Sequence, residues 1–166
     1  MKKWLNLGLL ISFLLAAALT FWIEGQLKTQ VGDMPMDYRK EGFSLCGEGP
    51  VYQNYSVGTC YTGGLFIMRE ELLGHLGPKA GELPMESGWL TYRLAVNCRG
   101  EAAIFQVKGI DGDYKACQFD PRTRQLLWEA VESLEDWRPG KLDGQAVDSY
   151  IHITFKIQDG KIAQIL

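Results

Sequence analysis

The sequence begins with an apolar segment long enough to cross a membrane. After Lys2 and Lys3, the run from Trp4 to Ile23 contains 20 residues and no charge. A helix rises about 1.5 Å per residue, so roughly 20 residues span the ~30 Å hydrocarbon core of a bilayer. A buried amphipathic helix would need a polar stripe, which this run lacks. The polar residues that interrupt it are Asn6, Ser12 and Thr20.

Two interpretations of this segment are open, a cleaved signal peptide and an uncleaved signal anchor. A signal peptide would use the lysines as its basic region, residues 5–15 as its apolar stretch and the alanines at 16–18 as its cleavage site. An anchor would use the whole run, with Trp4 and Trp22 at the two membrane interfaces. We favour the anchor, because the bulky residues after the alanines would make a poor start for a soluble chain. In both cases the chain after Glu24 is exported.

The composition and the net charge limit the classes of function that the chain can have. The chain has 166 residues, of which 46% are hydrophobic and 22% charged, which suits one globular domain behind the N-terminal segment. The formal net charge of −3 argues against nucleic-acid binding, because phosphates require a basic face. No catalytic motif stands out. We therefore expect a binding module rather than an enzyme, with no cofactor.

Four cysteines fit an exported chain. They are Cys46, Cys60, Cys98 and Cys117. They form no C-x-x-C pair, and the only histidines are His75 and His152, so the spacing does not suggest a metal site. In an oxidising compartment an even number of cysteines suggests disulfides, and four buried thiols are the alternative. The pairs we expect are Cys46–Cys60 and Cys98–Cys117.

The first half of the exported part is an irregular linker followed by a helix. Residues 27–60 show no sustained period and are rich in turn-forming residues, with a short strand expected around 51–55. Helical spacing then predicts a helix over 65–76, which Gly77-Pro78 ends. The apolar residues that we expect on its core face are Leu65, Met68, Leu72 and Leu76.

Alternation with period two predicts strands after this helix. Residues 89–97 alternate, 102–107 return after a turn, and 114–119 could return again as a third strand. If the third strand pairs back along the second, Cys117 comes close to Cys98. A disulfide between them needs Cα atoms within about 7 Å.

The C-terminal third contains a second helix and the clearest strand. Asp120-Pro121 begins a helix that apolar spacing carries to Trp137, and a polar turn follows at 141–144. Residues 149–157 alternate strictly, and Asp159-Gly160 predicts a hairpin into a last strand at 161–166. The expected fold is α+β, with an antiparallel sheet of three or four strands, two helices on one face and the other face solvated.

The C-terminal third carries a motif made of Trp137, Arg138, Pro139, Gly140, Lys141, Gly144, Val147, Ile153–Ile157 and Gly160. This motif resembles the C-terminal domain of TonB, the energy transducer of Gram-negative envelopes. The resemblance covers about residues 61–166 and is strongest over 124–160. Together with the signal or anchor at 1–26 and the linker at 27–60, it divides the chain into three parts, of which 61–166 would be a TonB-like domain. The motif residues Trp137, Pro139, Gly140 and Lys141 would shape the fold rather than perform chemistry.

The resemblance also implies a partner and a docking strand. In the family, the corresponding strand lies at a sheet edge and accepts an extended segment of an outer-membrane receptor by strand addition. The docking residues would be Ile151, His152, Ile153, Thr154, Phe155, Lys156 and Ile157. The protein would lie on the periplasmic side of the inner membrane, or in the periplasm if the N-terminus is cleaved. If 161–166 pairs with this strand, docking requires that tail to be displaced.

An exported enzyme or ligand-binding domain is the alternative function. Cys60 and His75 are the candidate nucleophile and base, because a thiol needs a neighbouring base. No recognised signature surrounds either residue. Asp111 and Asp113 offer carboxylates in a turn, but a calcium loop needs more ligands at set spacings.

Overall fold

The computed structural model describes residues 2–29, 40–47, 49–81, 83–84 and 87–166. The chain divides into two compact units, Met1–Met34 and Pro35–Leu166. In the first unit, helix α1 spans Lys2–Thr29. Its segment Asn6–Ile23 has the length and apolar composition of a membrane span, and a signal sequence shares these properties. An N-terminal apolar helix is therefore confirmed. Part of the predicted linker, at 30–39 and Glu48, lies outside the described residues.

The second unit contains three α-helices, a 3-10 turn and ten strands within the described ranges. In chain order they are β1 Tyr52–Gln53, α2 Asn54–Val57, β2 Cys60–Tyr61, α3 Gly64–Leu76, the 3-10 turn Gly77–Gly81, β3 Gly88–Val96, β4 Ala102–Asp111, β5 Ala116–Cys117, α4 Pro121–Glu132, β6 Trp137–Arg138, β7 Gly140–Leu142, β8 Gln145–Val147, β9 Ser149–Gln158 and β10 Lys161–Ile165.

The main sheet has six strands in the order β1-β9-β3-β4-β5, with β10 also paired to β9. Antiparallel ladders join β3 to both β4 and β9, and β9 to β10. The α+β class is confirmed, but the sheet is larger than expected and β1 pairs with β9 in parallel. Within the polar turn predicted at 141–144, Asp143 and Gly144 form the turn of a hairpin that joins β7 to β8.

One face of the sheet packs against α3 and α4. The buried residues of this core include Met68, Leu72, Leu76, Leu90, Tyr92, Leu94, Val96, Leu127, Val131, Ile153, Phe155 and Ile157. The expected core position of Leu65 is wrong, because Leu65 is 46% exposed in the first turn of α3, one turn before the buried stripe begins. Ala95 and Ala103 are buried on the opposite face, so that face is solvated only in part.

Helix α4 begins as predicted but ends early. A side-chain oxygen of Asp120 accepts the N–H of Arg122 at 2.9 Å, with Pro121 in the first turn. The helix ends at Glu132, where Ser133 donates its hydroxyl to the carbonyl of Ala130. The predicted extension to Trp137 is wrong, because the chain turns and Trp137 pairs with Tyr61 between β6 and β2.

The disulfide pairing also differs from the expected one. Cys46 and Cys98 form a disulfide with Cα atoms 6.0 Å apart, while Cys60 and Cys117 keep their thiols. Cys117 pairs opposite Gly109, because the turn from Asp111 to Lys115 closes tightly. Gly109 lies seven residues along β4 from its start, about 23 Å at ~3.3 Å per residue. Cys117 therefore cannot reach the turn that carries Cys98.

Candidate functional site

The predicted docking strand lies inside the sheet. Strand β9 pairs with β3 from Ser149 to Ile157 along one edge. Along its other edge, β1 pairs with Ser149 and Tyr150, and β10 pairs with Phe155 to Gln158. Thr154 adds two hydrogen bonds of 2.9 Å with the backbone of Leu166. The docking residues 151–157 are therefore ordered as one strand but do not form an open edge.

A gap of one residue remains along the outer edge of β9. Successive residues of a strand direct their backbone groups to opposite edges, so Thr154, which bonds to Leu166, and His152 face the same way. Within the described part of the chain, neither β1 nor β10 pairs with His152. Its backbone amide and carbonyl thus lie between Gln53 on one side and Leu166 on the other.

The strand that covers this edge is short and irregular. Strand β10 has five residues, and its register shifts between Ile162 and Gln164. Three of its residues are exposed, whereas Ile165 is 4% exposed and reaches the core. Arg69 of α3 donates from Nε to the carbonyl of Ile165 at 2.7 Å. The buried side chain of Ile165, the partly buried Ile162 and the hydrogen bond from Arg69 thus hold β10 against the domain.

The two faces of β9 differ in what they offer a partner. Ile153, Phe155 and Ile157 are buried in the core, so a docked segment could not contact them from the edge. On the opposite face His152 is exposed, and Thr154 shares a hydrogen bond with Thr91, hydroxyl to hydroxyl at 2.9 Å. A partner would meet the backbone edge, His152 and the half-buried Lys156.

The motif residues have structural positions. Trp137 is 6% exposed and donates from Nε1 to the carbonyl of Leu134 at 3.1 Å. Its ring meets Tyr61 edge to face, with centroids 5.1 Å apart. A Cβ at Gly140 would lie 2.6 Å from the Oγ1 of Thr59, so only glycine allows this close packing. Pro139 is half-buried and Lys141 is exposed.

The candidate nucleophile and base are not joined in the structure. Cys60 lies in β2 and is half-buried, and His75 lies exposed in the last turn of α3. Among the described residues no hydrogen bond links the two side chains. The turn that carries Asp111 and Asp113 is closed by Asp111, which accepts the N–H groups of Asp113 and Lys115 at 2.9 Å. The carboxylate of Asp111 is thus explained by local turn geometry.

A second cluster surrounds the disulfide, and sequence reasoning did not find its central residue. Asp148 is 8% exposed. Its two oxygens accept the backbone N–H groups of Cys46 at 2.9 Å and Cys98 at 3.0 Å. One oxygen of Asp148 and both sulfurs lie within 4.8 Å of one another, an arrangement that could hold a metal ion if the sulfurs were not bonded. A lone aspartate between β8 and β9 gave no sequence signal.

Charged side chains on the turn between β3 and β4 border this cluster. Arg99 and Glu101 form an ion pair of 2.8 Å, and Asn97 donates to the same carboxylate at 2.6 Å. These hydrogen bonds, that of Arg99 first, lower the pKa of Glu101. The Nη1 of Arg99 lies 3.9 Å from the sulfur of Cys46.

No protein-family model, curated protein or solved structure matches the chain. The structure is that of an α+β domain with one disulfide among the described residues, preceded in the chain by an N-terminal apolar helix. The disulfide is typical of an oxidising compartment.

Proposed function

We propose that the exported part of the chain is an interaction module that binds an extended segment of an envelope protein by strand addition along β9. The observation that carries this proposal is the cover of β9, a strand of ten residues. Among the described residues, its outer edge pairs with the two-residue β1, with the bulged β10 and with the backbone of Leu166. Because this edge is not open, the incoming segment would replace β10. The apolar helix and the disulfide support an exported location, which we take to be the periplasmic side of the inner membrane or the periplasm.

If an incoming segment replaced β10, most interactions of β10 with β9 would be replaced by similar ones. The incoming backbone would take over the hydrogen bonds that Thr154 and Lys156 now make with the tail, so their number would change little. The main loss is the buried side chain of Ile165, and full burial of such a side chain contributes about 1.5–3 kcal/mol. A partner with an apolar residue at this position would restore the contact.

The gap at His152 gives the incoming segment a starting point. Its backbone amide and carbonyl can pair with a partner before any bond of β10 breaks. From there the new strand would extend past Thr154 and displace the tail one pair at a time. The partner segment should carry an apolar residue in place of Ile165 and a polar or acidic residue beside Lys156, because alternate side chains face opposite sides of a sheet.

A cross-link between β9 and β10 tests this proposal. Lys156 and Gln164 are register partners, and opposite Cβ atoms lie about 4.5–5.5 Å apart. In the Lys156→Cys, Gln164→Cys variant we expect an oxidised cross-link that abolishes binding of extended peptides from a random library to the full chain. The matched control, Lys156→Cys alone, should still bind, weakened at most by the loss of the lysine contact, because the backbone edge of β9 is unchanged.

Two results would overturn the proposal. One is equal binding by the cross-linked variant and its control, which would place the interaction elsewhere. The other is the absence of any extended peptide that binds the natural chain, since strand addition requires such a ligand. Full-chain protein in detergent micelles and fluorescence anisotropy of the labelled peptides are sufficient for both comparisons.

A further inference from the structure

The disulfide lies where another thiol can reach it. Cys46 is exposed and Cys98 is half-buried. The bond joins the irregular segment 40–47 to the turn between β3 and β4. Disulfides that only stabilise a fold are usually protected, whereas exposed ones are open to exchange. Accessibility alone does not make a disulfide reactive, so the surroundings of the sulfurs matter.

The sulfur of Cys46 has donors beside it. The backbone N–H of Cys98 lies 3.2 Å from this sulfur, and the guanidinium of Arg99 lies 3.9 Å from it. Cationic and N–H neighbours stabilise a thiolate. The sulfur therefore becomes a better leaving group in thiol–disulfide exchange. Arg99 is held in place by its ion pair with Glu101. The carboxylate of Asp148 opposes this effect, but two backbone N–H groups already neutralise part of its charge.

The two cysteines are also held together independently of the S–S bond. Asp148 accepts the N–H of both residues, and Asn97 donates to the carbonyl of Ser44 at 3.0 Å. After reduction these contacts would keep the segment 40–47 beside the turn. The two thiols would therefore remain neighbours, which favours reversible re-formation of the bond over unfolding.

We propose that Cys46 and Cys98 form a redox-active pair that exchanges with a dithiol oxidoreductase. The partner's thiolate attacks the exposed sulfur of Cys46, forming a mixed disulfide and releasing Cys98 as a thiolate. The second thiol of the oxidoreductase passes its proton to Cys98 and becomes a thiolate. This thiolate then attacks the oxidoreductase's own sulfur in the mixed disulfide. Cys46 leaves as a thiolate facing Cys98 N–H and Arg99. Two electrons pass to this chain, and the partner ends as a disulfide.

This site is independent of the strand-addition edge. None of its residues belongs to the segment 151–157, and its chemistry needs no extended ligand. Failure of peptide binding would therefore leave the redox inference intact, and the reverse is also true.

The exchange is tested on the full chain in detergent, with Cys60→Ser and Cys117→Ser to remove the other thiols. One arm uses glutathione redox buffers, and the other uses a C-x-x-C oxidoreductase whose second cysteine is serine, so that mixed disulfides accumulate. We expect a mixed disulfide on Cys46 by peptide mass spectrometry, full reoxidation, and a far-UV circular dichroism spectrum that reduction leaves unchanged. A mixed disulfide with the oxidoreductase would support the proposal, whereas one with glutathione alone would overturn the assignment to a dithiol partner.

Unfolding on reduction, or no reaction in either arm while the protein stays folded, would overturn the inference. A second variant separates reactivity from a purely structural role. We expect Arg99→Gln to shift the pH profile of Cys46 alkylation in the reduced protein upward and to slow alkylation at pH 7 about two- to fivefold. Arg99→Lys should recover part of the rate, and the exposed Arg122→Gln should leave it unchanged. An unaltered profile in Arg99→Gln would contradict the assigned role of Arg99.

Discussion

At the scale of single residues, Tyr61 links the second strand to the first long helix of the domain. It is 4% exposed, and its hydroxyl donates to Glu71 at 2.5 Å. Burial and then the neighbouring carboxylate raise the pKa of Tyr61 to about 12. An unfolded tyrosine has a pKa of about 10. The folded protein therefore holds this proton more tightly, and stability is lost as the pH rises from about 10 to about 12.

Replacement of the hydroxyl tests this assignment. Tyr61→Phe should lower the free energy of unfolding at pH 7 by about 1 kcal/mol, because it removes one hydrogen bond to an exposed carboxylate. It should also make the fall in stability above pH 10 shallower. Urea unfolding at several pH values between 7 and 11 measures both effects. Tyr55→Phe, at a position that is 78% exposed, is the control, and equal alkaline slopes in the two variants would refute the role of Tyr61.

The roles of some residues could be predicted from the sequence, whereas the roles of others depend on which residues the fold brings together. Gly140 was recognised from its motif, and its close approach to Thr59 gives the reason for a glycine there. Asp148 was not recognised, because a single aspartate has no period or spacing. Its role arises only when the fold brings Cys46 and Cys98 to it from distant parts of the chain.

At the scale of elements, length decides what sequence periodicity can reveal. The nine- and ten-residue strands β3 and β9 alternate long enough to show which face is buried. Strands β1, β2, β5 and β6 have two residues each, and two residues cannot display a period. Their pairing is set by tertiary contacts. The predicted Cys98–Cys117 pair is wrong for a related reason, since it assumed that a third strand over 114–119 runs back towards the turn at Cys98, whereas β5 has two residues and Cys117 pairs opposite Gly109.

Removal of the last strand is the element-scale prediction. A variant lacking residues 161–166 should expose the outer edge of β9 and bind a synthetic peptide of the sequence KIAQIL, because this peptide restores the pairs with Phe155 and Lys156. The full chain should bind the same labelled peptide at least about tenfold more weakly, since its own tail competes. Fluorescence anisotropy measures both affinities.

A sequence-matched control keeps this comparison specific. A peptide in which the second isoleucine is replaced by aspartate places a charge at the position of buried Ile165, and it should not bind the shortened variant. Equal binding of the two peptides would show that core contact at this position does not select the strand. Circular dichroism of the shortened variant establishes whether it is folded before the titration.

At the scale of the whole molecule, the N-terminal helix and the disulfide both bear on the cellular compartment in which the domain lies. The helix segment Asn6–Ile23 has the length and apolar composition of a membrane span, which a signal sequence shares, and a disulfide between Cys46 and Cys98 persists where thiols are oxidised. The state of the two cysteines therefore reports on which side of the membrane the domain lies. Both N-terminal interpretations predict export, so the disulfide should form in the cell whether or not the helix is cleaved.

Charges placed in the apolar helix separate these states. Arginines at Leu10 and Leu14 each cost about 2.5–3.5 kcal/mol at the centre of a membrane helix, so Leu10→Arg with Leu14→Arg should leave the domain in the cytoplasm with both cysteines reduced. The conservative pair Leu10→Val, Leu14→Val should be exported and oxidised like the natural chain. Alkylation in intact cells followed by mass spectrometry measures the fraction of Cys46 and Cys98 that is reduced. The intact mass shows whether Met1 is retained, as we expect for an anchor. An oxidised Cys46–Cys98 pair in the Leu10→Arg, Leu14→Arg variant would contradict the dependence of this bond on export, because thiols in the cytoplasm are kept reduced.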